Sequence, residues 1–120
     1  MKDKRFVVAV SNVYCDVFVT VLESRKGYIN YCRRKQVQCN PANTRAICRL
    51  TSKKDVVNGT SHSEIVFSKE SVDAELITHE CFHAVYHSFN QQRIKLSKNE
   101  ETFAILLGEL VLEVTSWLAL

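Results

Sequence analysis

Three residues past the middle of the chain have the types and the spacing to hold a metal ion and activate a water on it. They are His79, Glu80 and His83, within the run His79-Glu80-Cys81-Phe82-His83. In a helix, side chains four apart leave the same face one turn from each other. Two imidazoles so placed can fill two of the four tetrahedral positions around one zinc ion. Glu80 stands about 100° around the helix from His79. From there it can reach a water on the metal without being a ligand, and act as its general base. Zinc lowers the pKa of such a water to ~7, which makes hydroxide available at neutral pH. The same spacing also suits two ordinary histidines on a helix, so the surrounding elements decide what the motif is worth.

Those elements follow from hydrophobic periodicity. Val72, Leu76, Ile77, Phe82, Val85 and Phe89 recur at helical spacing, which predicts a helix over about 70–90 with Ser68 or Ser71 as its cap. Glu70, Asp73 and Glu75 lie where the positive end of the helix dipole favours acids. Gln91 to Lys98 is a polar connector, and a second helix is expected over about 99–118 with Glu109 and Glu113 on its polar face. Before residue 70 the period is two. Arg5 to Val10 is β-branched, and Val13, Cys15, Val17, Val19 and Val21 alternate with Tyr14, Asp16, Phe18, Thr20 and Leu22. Tyr28 to Arg34 reads as a strand returning from a turn at Glu23 to Gly27, forming a hairpin with Val13 to Leu22. Asn40-Pro41-Ala42-Asn43 breaks the chain, and Arg45 to Thr51 and His62 to Ser68 are further strands joined by a turn region from Lys53 to Thr60. Strands first and helices afterwards make an α+β layout: a small antiparallel or mixed sheet of about four to five strands over residues 5–68, then two helices.

A chain of 120 residues with 46% hydrophobic and 24% charged residues suits one domain over 1–120 and excludes a disordered tail. The net charge of +3 is small for an electrostatic nucleic-acid binder. The stretch from Tyr28 to Lys35 mixes aromatics with cations and could touch a phosphate backbone, but a solvated strand end is the simpler reading. Five cysteines, an odd number without CxxC spacing, argue for free and mostly buried thiols in a reducing compartment. The six-residue gap between Cys32 and Cys39 matches no standard zinc knuckle. Asn12 and Asp16 interrupt the only signal-like run, and Glu109 and Glu113 mark Thr102 to Leu120 as a buried amphipathic helix, not a membrane span. The expectation is a cytoplasmic protein without a membrane partner.

A catalytic zinc needs a third protein ligand, and candidates lie in Asn99-Glu100-Glu101-Thr102-Phe103-Ala104. On a helical wheel set by Thr102, Glu109, Glu113 and Ser116, Glu100 points to the centre of the apolar face and Glu101 to its flank. The motif, its helix and Glu101-Thr102-Phe103-Ala104 together resemble the gluzincin branch of the zincin metallopeptidases, over about residues 62 to 113. In that branch a glutamate on a later helix completes the site, and the resemblance therefore implies Glu101 as the third ligand. Ile105 stands where many members carry a supporting aspartate. The metzincin pattern is absent, because Tyr86 and Phe89 occupy its glycine and histidine positions. Size and layout also resemble the very short HExxH proteins that phages encode, which implies the host cytoplasm.

The resemblance implies hydrolysis of a peptide bond in a peptide or protein substrate. One zinc per chain would be held by His79, His83 and Glu101, with Glu80 as the general base. It also implies an edge strand before the motif helix that pairs with extended substrate, and His62 to Ser68 is the matching strand. His87, four beyond His83, could assist a transition state or be a partly exposed helix histidine. Tyr86 could donate to an oxyanion or simply pack, and Cys81 faces away from the ligands towards the core. The second reading is a zincin scaffold with weak or no catalysis that acts by binding a partner (host) protein, since the short chain leaves little sequence for a cleft wall.

Overall fold

A computed structural model describes residues 1–37, 39–50 and 63–120. Over these residues the fold is α+β, with a four-stranded mixed sheet and three α-helices. Strand β1 (Lys2–Val10) and β2 (Val13–Leu22) form an antiparallel hairpin whose turn includes Ser11 at φ 55°. Helix α1 (Arg25–Arg34) follows, then a 3-10 turn (Pro41–Asn43) and β3 (Ala46–Leu50). β4 (Ser63–Ser68) leads into helix α2 (Ala74–Gln91), a second 3-10 turn (Leu96–Lys98) and helix α3 (Glu100–Leu118). The expected turn from Lys53 to Thr60, and Thr51 and His62 at the strand ends, lie outside the described residues. No described helix is long and apolar enough to cross a membrane.

The segment expected as a returning strand, Tyr28 to Arg34, is helical. Tyr28, Tyr31 and Cys32 are its buried residues, at spacings of three and four. Ser24 caps the helix by accepting the Gly27 N–H at 3.0 Å, and Arg33 and Arg34 complement the negative end of its dipole. The hairpin partner of β2 is therefore β1. Helix α1 serves as the crossover that parallel pairing of β2 with β4 requires, and the strand order is β1-β2-β4-β3.

Each face of the sheet is covered differently. Val17, Val19, Ile65 and Phe67 point to one face, where α2 and α3 pack through Ile77, Ala84, Val85, Leu106 and Leu110. Tyr28, Tyr31 and Cys32 cover Ile47 and Val66 on the other. The two tyrosines of the stretch considered for nucleic-acid contact are thus committed to the core. Asp73, not Ser68 or Ser71, caps α2, accepting the Leu76 N–H at 2.8 Å. Ser68 instead bonds the Glu70 N–H in the preceding turn.

On the α1 side, one buried carboxylate joins four elements. Glu64 of β4 accepts from Thr20 of β2 at 2.8 Å, from the Tyr31 hydroxyl of α1, and from Nε of Arg49 of β3 at 2.9 Å. A buried charge is tolerable when it is paired and hydrogen-bonded like this, and removing one partner strands the other. Glu64→Ala should therefore cost ~3–5 kcal/mol in denaturant unfolding. A loss below ~1 kcal/mol would show that Arg49 finds solvent without cost.

Candidate metal centre

Helix α2 lies with one side on the sheet and one side open. Ile77, Cys81, Ala84 and Ser88 are buried, whereas His79 is exposed and His83 and His87 are half-buried. The row of three histidines runs along the open side because their four-residue spacing follows the helix turn. The Nε2 atoms of His79 and His83 are 3.2 Å apart. Two nitrogen ligands ~2.0–2.1 Å from a tetrahedral ion lie about 3.3–3.4 Å from each other. The pair thus has the separation that one zinc ion needs, and the same distance also admits a hydrogen bond in one pair of tautomers. Burial and the neighbouring His79 lower the His83 pKa, which favours the neutral ring that metals bind.

Glu80 turns inward from the same helix. It is 5% exposed, and its Oε1 lies 3.9 Å from His79 Nε2. Burial raises its pKa, opposed by His79. Among the described residues none donates a hydrogen bond to the carboxylate, which leaves its oxygens available as proton acceptors beside His79. The structure thus places His79 close to both His83 and Glu80.

It does not bring Glu101 into that group. Among the described residues no set of three or more His, Cys, Asp or Glu side chains is gathered closely enough to hold a metal. Glu100 and Glu101 are both exposed in the first turn of α3. That helix packs beside the motif through Phe103, whose ring lies 5.2 Å from Phe82 and 5.2 Å from Phe89. Phe82 in turn stacks on Tyr86 at 6.3 Å, and both are 42% exposed, so the pair packs together at the surface. Cys81 is fully buried as expected, and all five cysteines are free, with Cys39 exposed.

The edge strand is not where the sequence suggested. β4 is interior, paired with β2 on one side and β3 on the other, and among the described residues β3 forms that edge of the sheet. The reason is the crossover: after α1 the chain passes first to the outside of the sheet and then returns beside β2. β3 runs along the open side of α2. A depression of about 350 Å3 beside Arg45 and Ala46 includes His79 and Glu80, and a cavity of about 580 Å3 beside Ile47 to Leu50 includes His87. Nδ1 of His87 lies 3.5 Å from Ser63 Oγ and 3.9 Å from Cys48 Sγ. No spacing rule pointed to Cys48 or Ser63, because they meet His87 only through sheet pairing.

Comparisons with protein-family models, with curated proteins and with solved structures find no match.

Because the folded protein raises the Glu80 pKa, the buried carboxylate opposes folding while it is charged. Stability then rises as the pH falls through the folded pKa towards the unfolded one. In chelator-treated protein, Glu80→Gln should raise the melting temperature at pH 7.5, and the gain should shrink towards pH 5. A gain that is absent, or that grows on acidification, would contradict this account.

Proposed function

We propose that the chain is a zinc-dependent peptide hydrolase whose metal is held by His79, His83 and Glu101. The 3.2 Å separation of the two Nε2 atoms beside the buried Glu80 carboxylate is the observation that carries this reading. Glu101, exposed in the first turn of α3, would have to turn towards the pair to complete the site, and Glu100 is the competing candidate. When bound, zinc would polarise the scissile carbonyl and acidify a water. The residues do the rest. Glu80 accepts the proton of the attacking water and later returns it to the leaving amine. Strand β3, the edge of the described sheet nearest the histidine row, is the strand along which an extended peptide would lie.

The partner-binding alternative keeps the histidines but makes no use of the Glu80 charge, so Glu80 is where the two readings part. Elemental analysis should find about one zinc per chain in the wild type and Glu80→Gln, and little in His83→Ala. On any peptide the wild type cleaves, Glu80→Gln should lose ~10²–10⁴-fold in turnover. Unchanged turnover rejects the mechanism. Loss of zinc in Glu100→Gln but not in Glu101→Gln would exchange the third ligand.

A further inference from the structure

One helical turn past the histidine pair, a second group of side chains presents metal-binding atoms. Nδ1 of His87 faces the sheet, 3.9 Å from Cys48 Sγ of β3 and 3.5 Å from Ser63 Oγ of β4. The His87 and His83 ring centroids are 6.4 Å apart, so this group is separate from the pair. Cys48 and His87 are both half-buried and both line the cavity of about 580 Å3, which gives an ion a way in. Two cations also line that cavity, but each has a partner on the α1 side of the sheet. Arg49 is bonded to Glu64, and Lys35 lies 5.7 Å from the centre of the Tyr31 ring.

We infer that Cys48 and His87 form a second metal site that takes a soft monovalent cation, copper(I), between the Cys48 sulfur and His87 Nδ1. Neither residue takes part in the proposed hydrolysis. At bond lengths of ~2.3 Å to sulfur and ~2.0–2.1 Å to nitrogen, two donors stand ~3.5–3.6 Å apart at a tetrahedral angle and ~4.3 Å apart in line. The observed 3.9 Å falls between these, as a two- or three-coordinate ion requires. Without an ion, the same distance is that of a thiol hydrogen bond. Structural zinc wants four ligands, and among the described residues no third His, Cys, Asp or Glu side chain completes a set here. Copper(I) is satisfied by fewer donors, and thiolate with imidazole suits it. Burial and then the charge of Glu80 push the Cys48 pKa up, while the Ser63 hydroxyl opposes them. A bound cation would offset both, and the thiol proton it displaces would pass to solvent.

The test is anaerobic titration of the full chain with copper(I), in competition with the coloured chelator bathocuproine disulfonate. The wild type should withdraw about one copper(I) per chain. Cys48→Ser and His87→Ala should each weaken binding by more than the ~10–100-fold that loss of an outer-shell partner costs. Two controls should retain it. Cys39→Ser removes the exposed thiol of the same cavity, and His83→Ala breaks the histidine pair. Circular dichroism checks that each variant is folded. X-ray absorption of the copper-loaded wild type reads the ligands directly where a variant is not, and should show both sulfur and imidazole around the metal. Absence of binding overturns the second site. So does full affinity in folded Cys48→Ser or His87→Ala, loss of binding in folded Cys39→Ser or His83→Ala, or a copper environment lacking either sulfur or imidazole.

Discussion

The parallel pairing of β2 with β4 is the constraint on which the rest depends. A parallel pair needs a crossover, and both of its faces must be covered. Val17, Val19, Ile65, Val66 and Phe67 are all fully buried, which requires helices on both sides. Helix α1 takes one face as the crossover. Helices α2 and α3 share the other, and each can then keep one side in solvent. The histidine row stands on that side of α2 because the opposite side is fully used by the sheet.

The Glu64 network carries the same constraint out to the edge. β3 pairs with only one strand of the described sheet, yet Arg49 ties it through Glu64 to β2 and α1. The strand that borders the histidines is therefore held by an ionic bond as well as by its backbone ladder. A peptide site of the proposed kind, made by this helix and this strand, would depend on such a fixture, since displacement by an ångström can decide reactivity.

Much of this was legible in the sequence. The alternation of Val13 to Leu22 gives β2 and separates its two faces, both of which are largely buried. The helical recurrence from Val72 to Phe89 places His79, Glu80 and His83 on α2, with Cys81 on the buried side. Tyr28 to Arg34 was misread because Tyr28, Asn30 and Cys32 also alternate, and a short aromatic stretch satisfies both periods. The burial of Tyr28, Tyr31 and Cys32 shows which period the tertiary contacts selected. Sheet order was not legible from the pattern of any single strand, so the edge was assigned to residues that turned out to be central. The environment of His87, beside Cys48 and Ser63, depends on that order and was hidden with it.

The two histidines that define the centre sit on consecutive turns of one helix, with their Nε2 atoms 3.2 Å apart. Their separation is a property of the helix before it is a property of the fold. Any divalent cation gripped by both rings would act as a clip across α2, favouring helical over unfolded conformations of that segment. Ion affinity and helix stability are then thermodynamically linked, and free ion at a thousand times its dissociation constant would add ~4 kcal/mol to the folded state. On that basis the supply of the ion would set how much of the protein persists as well as how much of it is competent.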